Sequence, residues 1–530
     1  MPVLSWVPKA GGAPGVMAAT LELSAVKLKT SRGTMRTFAW NGMIPGPLIR
    51  MKPCGVYHLT IKNGLEDWAV SDQNSAAGAP LNTLHDPSTT NVHLHGLHIS
   101  GEAPGDDTFT VVEAGGENEF IYTIPCDHSG GTNCSALQTN GGAAGMLVIE
   151  PGEREIADMP VAYRSLPEQY LVIQDFSVKD LTTYSLVSGD AVFDTDIPDT
   201  FAAANGCAQR SGGAQITVAA GQWTRLRMLH AGSAQNAVIT IEPAAAAATA
   251  AGAAGAAAAA VPRCDMVLLQ KDGAWLGSVP RTVRGAAPGG APALFFTPSS
   301  RNDVAIRCAD AGVEHEIRYT QVNNSLRPDA EVIGTVTVTP DARPPAPDLP
   351  EWGPCRPAYL KDLTVLTPEQ LGAAYPLELR QTINGAQFEG PDVIMHELTL
   401  GVPEQWLVTG TDQHPLHVHI GGVSAENQWD DAPDWLVVGD WMDSLSARGR
   451  VPILVHPERF SGPMVIHCHI TSHADQGMMA VFTIKGRGAD ALTPPQLAMS
   501  APAHSCMPVA IDVDLTGARK LLSAKRSQSL

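Results

Sequence analysis

The sequence predicts an all-β protein, built from sandwiches or Greek-key barrels. Runs rich in β-branched and aromatic residues recur along the chain, most of them bounded by Gly, Pro, Asn or Asp. Amphipathic helical stretches are few, and 50 Gly with 41 Pro favour short strands joined by turns. The clearest strand-like runs are residues 56–61, 120–124, 146–149, 216–218, 223–229, 335–339, 451–455 and 479–484.

The length of 530 residues suggests three or four domains. A first domain over 20–152 ends at a Pro-Gly pair, and a second over 160–340 ends at a proline-rich segment, 340–354, expected to be a semi-rigid linker. The second domain contains an Ala/Gly-rich insertion at 244–261. A third domain over 360–488 precedes a C-terminal extension, 489–530.

Composition excludes several classes of protein. Hydrophobic residues make up 44% of the chain, which supports a packed core, and the net charge of -19 argues against nucleic acid and anionic membranes as partners. No apolar run reaches the about 20 residues of a membrane span, and the N-terminus lacks the pattern of a signal peptide. Nine cysteines without a CxxC spacing argue against zinc ribbons but allow one or two disulfides.

Three short motifs gather most of the clustered histidines. They are His93-Leu94-His95, His414-Pro415-Leu416-His417-Val418-His419, and His467-Cys468-His469 followed by His473 and Met478. Successive side chains of a strand point to opposite faces. We therefore expect Cys468 on one face and His467 and His469 on the other, with a metal on each side. The short backbone between them would be an electron path.

The third motif indicates a blue-copper site. A soft thiolate, imidazoles and a weak thioether form the ligand set of such a centre. Cys468 and His473 supply two in-plane ligands, and Met478 is spaced to be the axial one. His414 is the candidate for the second imidazole, because Pro415 favours a bend that turns His414 away from the two histidines that follow.

On these motifs the chain resembles a three-domain multicopper oxidase of the laccase-like or bacterial copper-oxidase kind. The resemblance implies three cupredoxin-like Greek-key β-barrel domains. It also implies oxidation of a reducing substrate at a type 1 copper and reduction of O2 to water at a trinuclear copper cluster. The segments that carry it, besides the histidine motifs, are residues 91–100, 122–131, 141–150, 383–385, 439–443 and 460–479.

The resemblance also assigns copper ligands residue by residue. The type 1 ligands would be His414, Cys468, His473 and Met478. The type 2 ligands would be His93 and His417, and the type 3 ligands His95, His419, His467 and His469. Cys468, His467 and His469 would then form the catalytic electron path between the two sites.

The chain departs from the family in its first domain. Family members have a further HxH motif, usually after an aromatic pair, but here Gly131-Thr132 continues directly into Asn133-Cys134-Ser135. Each type 3 copper would lose one of three imidazoles, so the cluster is expected to be incomplete. A gene model that omits an exon would also give a sequence without this HxH motif.

Three residues near this gap are possible substitutes. His128 is the nearest histidine, His98 would lie on the face opposite His93 and His95 if their strand continued, and Cys134 is a soft alternative. Metal ligands need fixed supporting contacts, so none of the three is a favoured replacement.

Proton delivery is a second departure. Some relatives carry Glu directly after the histidine matched by His473, whereas this chain has Ala474 and then Asp475. Asp106, or its neighbour Asp107, is the candidate for an acid near the type 2 copper, and solvated loop acids are the equally plausible alternative.

The expected function is that of a copper-dependent oxidoreductase. Its partners would be O2 and a small reducing substrate, phenolic, aromatic or a metal ion. The alternatives are a type 1 copper electron carrier or copper-binding protein with a degenerate cluster, and a non-catalytic scaffold. The resemblance suggests a secreted or extracytoplasmic protein, and the sequence does not indicate an oligomeric state.

Overall fold

The computed structural model describes most of the chain. The described residues are 1–30, 33–65, 88–136, 141–177, 200–208, 213–233, 235–244, 263–285, 290–322, 330–426, 433 and 435–486. The Ala/Gly-rich insertion, apart from residue 244, and the C-terminal extension lie outside these residues. The all-β prediction is confirmed, because strands form nearly all of the regular structure.

The first group of strands forms two sheets. One has the order β1-β2-β5-β7, with β3 paired to β2, and the other has the order β4-β9-β8-β6. Pairing begins at β1, before the predicted domain start at residue 20. The strands are β1 (Val7–Pro8), β2 (Val16–Thr30), β3 (Gly33–Trp40), β4 (Ile49–Met51), β5 (Val56–Asn63), β6 (His93–His95), β7 (Glu117–Thr123), β8 (Gly131–Ala136) and β9 (Ala144–Ile149).

The second group also forms two sheets. The larger has the order β12-β11-β10-β14-β20-β16-β17 with β18 on β16, and the smaller has the order β13-β22-β21-β15-β19. The strands are β10 (Glu168–Ser177), β11 (Thr200–Ala204), β12 (Cys207–Ala208), β13 (Ala214–Ala219), β14 (Thr224–His230), β15 (Asn236–Pro243), β16 (Asp265–Lys271), β17 (Ala274–Trp275), β18 (Arg281–Thr282), β19 (Ala293–Phe296), β20 (Arg301–Arg307), β21 (Glu314–Val322) and β22 (Glu331–Thr339).

The third group has two five-stranded sheets, with orders β23-β25-β30-β27-β28 and β24-β32-β31-β26-β29. Every strand pairing in the described residues stays within one of the three groups. The strands are β23 (Tyr375–Glu378), β24 (Ile394–Thr399), β25 (Glu404–Thr409), β26 (Leu416–Val418), β27 (Val423–Ala425), β28 (Trp441–Met442), β29 (Ser444–Leu445), β30 (Arg450–Val455), β31 (Gly462–Cys468) and β32 (Met479–Lys485).

Helices are short and lie in the connections. Thr367 begins α3 with a capping box, in which Gln370 Oε1 accepts the backbone N–H of Thr367 at 2.8 Å. Beside a 3₁₀ turn at Ala358–Leu360, the helices are α1 (Glu153–Asp158), α2 (Val161–Arg164), α3 (Pro368–Leu371) and α4 (Thr471–Asp475).

The proline-rich segment is anchored to the second group of strands. Trp223 Nε1 donates to the carbonyl of Pro347 at 2.9 Å, and Arg307 Nη1 donates to that of Ala346 at 2.8 Å. The backbones of Trp352 and Val279 also pair. The proline-rich segment is therefore held against the second group of strands along its length.

Alternation of side chains places the core between the sheets of each group. Along β13 the residues alternate between buried and exposed, as expected for a strand with one face in solvent. β14 is buried throughout because it lies in the interior of the larger sheet. Two disulfides, Cys54–Cys126 and Cys264–Cys308, lie within the described residues, and Cys355 is disulfide-bonded as well, so the one or two disulfides expected from the sequence are exceeded.

Buried charges join the first and second groups of strands. Asp303 Oδ2 accepts a hydrogen bond from Arg225 Nη2 and another from Arg227 Nη1, both at 2.7 Å, and its Oδ1 accepts from Thr132. Asp303 and Arg227 are almost inaccessible to solvent. Removing one partner from such a network leaves the other charges buried without compensation.

We expect Asp303→Ala to lower the free energy of unfolding by about 3 kcal/mol, because Arg225 and Arg227 lose their shared carboxylate. Thermal or urea unfolding measures this change. The control is Asp341→Ala, which removes a carboxylate from an exposed pair with Arg343 and is expected to leave stability unchanged. Equal stability of both variants would contradict the assignment.

Candidate metal centre

One cluster of metal-binding side chains surrounds a cysteine of the third domain. Cys468 is the last residue of β31, His473 lies in α4, and His414 precedes β26. The Sγ atom of Cys468 is 3.9 Å from Nδ1 of His414 and 3.7 Å from Nδ1 of His473. The two Nδ1 atoms are 3.1 Å apart, so three donor atoms converge on one point. This thiol cluster has the sulfur and nitrogen donors that copper prefers.

Backbone hydrogen bonds close the loop that follows Cys468. The N–H of Cys468 donates to the carbonyl of Met478, and the N–H of Met478 donates to that of His473, both at 3.0 Å. Met478 is 2% exposed and packs in the core of the third domain. The residues from Cys468 to Met478 therefore form a compact loop at the thiol cluster.

Burial keeps the groups of the thiol cluster uncharged before a metal binds. It raises the pKa of the Cys468 thiol to about 12 and lowers the pKa of both His414 and His473. The thiolate, not the thiol, is the metal ligand, so copper has to displace the thiol proton.

A second cluster forms where the first and third domains meet. The rings of His93 and His419 stack with centroids 4.0 Å apart, and those of His95 and His417 stack at 3.7 Å. The pairing of β26 with β31 places His417 opposite His467. This histidine cluster consists of His93, His95, His417, His419, His467 and His469.

Ring nitrogens of the histidine cluster are free to bind a metal. His93, His417 and His419 each have a buried Nε2 without a hydrogen-bond partner among the described residues, and His469 has such an Nδ1. His417 donates its Nδ1–H to the carbonyl of Asp443 at 2.8 Å, which leaves the lone pair on Nε2. The residues therefore fit bound copper at these nitrogens.

The same burial makes the histidines neutral. Burial, and then the neighbouring imidazoles or Arg301, holds the pKa of four rings well below the usual range, and burial lowers that of His467 to about 4. Neutral imidazole is the form that ligates metals. The four rings are those of His95, His417, His419 and His469.

Asp106 is buried against the histidine cluster, whereas Asp107 is not part of it. Asp106 Oδ2 lies 2.7 Å from Nδ1 of His93, and its Oδ1 accepts the backbone N–H of Leu94 at 2.9 Å. Asp107 instead accepts hydrogen bonds from Phe109 and Thr110 within its own turn. The alternative of a solvated loop acid is wrong for Asp106, which is 6% exposed.

The strand beside β6 carries no histidine. β8 pairs with β6 so that His93 is opposite Ala136 and His95 is opposite Cys134. A buried guanidinium lies against this side of the cluster, where Arg301 Nη1 donates to Nδ1 of His95 at 2.8 Å. Arg301 comes from β20 of the second domain.

His98 and His128 do not join the histidine cluster. The strand does not continue to His98, because β6 ends at His95 and Gly96 turns the chain with a φ of 88°. His98 Nδ1 donates to the carbonyl of Ile420 at 2.9 Å, and its backbone N–H donates to His128 Nε2 at 3.1 Å. Both imidazoles therefore make hydrogen bonds outside the histidine cluster.

Arg301 and Asp443 are the site residues that sequence reasoning missed. Arg301 Nη2 donates to Asp443 Oδ2 at 2.5 Å. The carboxylate of Asp443 also contacts the rings of His95 and His417. Nothing in the local sequence marks Arg301, since a single arginine in a strand has no motif. Asp443 lies in a segment, 439–443, that resembles the family, which was the available signal.

Residues 361–487 match the sequence profile of the multicopper oxidase family. These residues, which form the third domain, therefore belong to the multicopper oxidase family. No curated protein sequence matches it.

Solved structures with the same fold come from several bacteria. A multicopper oxidase of Pediococcus acidilactici has a TM-score of 0.63 at 18% identity, over 92% of this chain and 91% of that one. The Campylobacter jejuni multicopper oxidase, described as a metallo-oxidase, has a TM-score of 0.62 at 17% identity, over 92% of this chain and 94% of that one. A laccase-like enzyme of Ochrobactrum sp., described as active towards lignin model compounds, has a TM-score of 0.61 at 19% identity, over 91% of this chain and 100% of that one.

These matches establish the three-domain multicopper oxidase architecture, with cupredoxin-like domains. The family match of the third domain supports copper binding by this chain. Among the described residues, no helix is long and apolar enough to cross a membrane.

The metal-free protein is expected to be acid-sensitive. Burial lowers the folded pKa of His467 to about 4, below the ordinary histidine value of 6.5, so its stabilising contribution is present above pH 6.5 and is lost as the pH falls through 4. Between pH 7 and 5 this loss is about 2 kcal/mol. Urea unfolding of metal-free protein across this range measures it, and His467→Gln should reduce the loss between pH 7 and 5 by about this amount, while the other buried histidines keep a remaining slope. An unchanged profile in that variant would contradict the assignment.

Proposed function

We propose that this multicopper oxidase takes electrons from a small reducing substrate at the thiol cluster and delivers them to O2 at the histidine cluster. The observation that carries the proposal is the shared strand β31. Cys468 belongs to the thiol cluster, while its two neighbours, His467 and His469, belong to the histidine cluster. Bound copper would supply one-electron transfer at the first cluster and oxygen reduction at the second.

Each protein group has a distinct part in this function. His414, Cys468, His473 and Met478 would hold a type 1 copper. His93 and His417 would serve as type 2 ligands, and His95, His419, His467 and His469 would serve as type 3 ligands. The backbone of residues 467–469 is the covalent path between the clusters.

Asp106 is the proposed proton carrier of the histidine cluster. Its Oδ2 accepts the Nδ1–H of His93, which fixes the orientation of that ring, and the backbone N–H of Leu94 holds Oδ1. Asp106 lies inside the protein at 6% exposure, so a proton held on this carboxyl stays next to the cluster.

The surface beside the thiol cluster suits an aromatic substrate. His414 and His473 are partly exposed, so an electron donor can approach them. Phe388 is also partly exposed, and its backbone N–H donates to the carbonyl of Gly477, next to Met478. Its ring stacks with that of Phe109 from the first domain. The activity described for the Ochrobactrum enzyme agrees with a phenolic substrate.

The second candidate is an electron carrier with a degenerate cluster. A guanidinium can only donate, so Nδ1 of His95 accepts from Arg301, and the ring proton then lies on the opposite nitrogen, Nε2. That nitrogen would have to lose its proton before it could ligate copper. Together with a β8 strand that lacks histidine, this favours partial occupancy of the histidine cluster.

Cys468→Ser tests the first candidate. Copper-loaded wild type should be blue and should consume O2 in the presence of a phenol, and the variant should lose both the colour and at least about 99% of the phenol-dependent uptake. Cys207→Ser, at the other free cysteine of the described residues, is the control and should behave as wild type.

Copper stoichiometry then separates the two candidates. Three or four coppers per chain, with O2 uptake, supports the oxidase. One copper per chain, blue but without O2 uptake for any donor, supports the carrier.

Phe388→Ala tests the aromatic substrate. We expect the KM for a phenol to rise about tenfold with a smaller change in kcat, because the ring contributes binding area of about 1–2 kcal/mol. The KM for a small metal-ion donor should stay unchanged. Parallel KM increases for both donors would argue against an aromatic contact.

A further inference from the structure

The loop that carries His473 is held by the second domain. Thr471 is the first residue of α4, and Ile470 before it provides no side-chain cap. The N–H groups of the first helical turn have no partner within the helix. The N–H of Thr471 instead donates to the carbonyl of Ser233 at 3.0 Å. A backbone group of another domain therefore caps the helix that contains a proposed copper ligand.

Ser233 is itself held by a buried carboxylate. Its N–H donates to Oδ1 of Asp175 at 2.8 Å. Asp175 lies on β10 and is 3% exposed, and Ser233 is 5% exposed. β10 pairs in parallel with β14, with Ile173 opposite His230, inside the larger sheet of the second domain. The carboxylate thus belongs to a rigid platform.

The turn between the sheet and Ser233 fits closely over this platform. A Cβ atom on Gly232 would lie 2.4 Å from Nε2 of His230 and 2.5 Å from Oδ1 of Asp175. Only glycine allows this approach without a shift of both side chains. His230 is fixed in turn, because its Nδ1 donates to the carbonyl of Thr297 at 3.1 Å.

We infer that Asp175 is a positioning residue for the type 1 copper site. It fixes Ser233, Ser233 caps α4 at Thr471, and α4 places His473 3.7 Å from the sulfur of Cys468. This inference rests on the proposed function, since it concerns the geometry of the copper that His473 would bind. Mutation of a group that orients a metal ligand weakens metal binding by about 10- to 100-fold.

Asp175→Ala is the first test, because it leaves the buried N–H of Ser233 without an acceptor. We expect the affinity for type 1 copper, measured by competition with a chelator, to fall about tenfold, with a shifted reduction potential and altered EPR splitting. Asp175→Asn keeps an acceptor oxygen and should restore values near wild type.

Asp303→Ala is the matched control for lost stability. It also removes a buried carboxylate of the second domain, but the hydrogen bonds of Asp303 go to Arg225, Arg227 and Thr132 and not to the turn at Ser233. Its type 1 signals should equal those of wild type. The same shifts in this variant would attribute the effect to general destabilisation and overturn the inference.

Thr471→Pro gives a second test if Asp175→Ala does not fold. Proline is tolerated at the first position of a helix, and Ile470 already has the extended backbone that precedes proline. The change removes the N–H of Thr471 and also its hydroxyl, which donates to the same carbonyl of Ser233 at 3.4 Å. We expect the same loss of copper affinity as in Asp175→Ala. Thr471→Val keeps the N–H and should show a smaller change.

The outcomes separate this inference from the proposed function. Wild-type protein without type 1 signals at full copper loading would overturn the proposed function. Normal signals in wild type, and unchanged signals in Asp175→Ala and Thr471→Pro, would overturn the inference alone.

Discussion

The pairing of β26 with β31 is the interaction on which the site depends. It sets Leu416 opposite Cys468 and His417 opposite His467. Because neighbouring side chains of a strand point to opposite faces, this single register places the thiol in one cluster and the imidazoles in another. A shift of this register by one residue would exchange the faces on which the thiol and the imidazoles lie. Both strands lie within one sheet of the third domain, so its buried core maintains the register.

The third domain supplies only part of the histidine cluster, and buried charges bring the other part to it. Arg301 of the second domain contacts His95 of the first and Asp443 of the third. Asp272, also of the second domain, accepts the N–H groups of Asp443 and of Ser444. These groups are almost fully buried, and such charges persist only when they are paired. The network therefore specifies one arrangement of the three domains around the cluster.

Local patterns predicted the strands and the two faces of β31 well, because both follow from alternation along one strand. They failed where the chain leaves a strand. His98 was assigned a face on the assumption that β6 continued, but Gly96 adopts a positive φ and turns the chain away. Asp106 illustrates the same limit, because its burial against His93 depends on a loop whose path the sequence does not indicate.

The sequence by itself determined the resemblance to multicopper oxidases, the all-β class and the residue types of both clusters, since spacing along a strand decides which side chains share a face. Only the tertiary structure decided that His93 stacks on His419, that Arg301 lies against His95, and that Ser233 caps α4. Each of these contacts joins residues of different domains. Their proximity follows from how the domains pack, and no local pattern in a single chain encodes that packing.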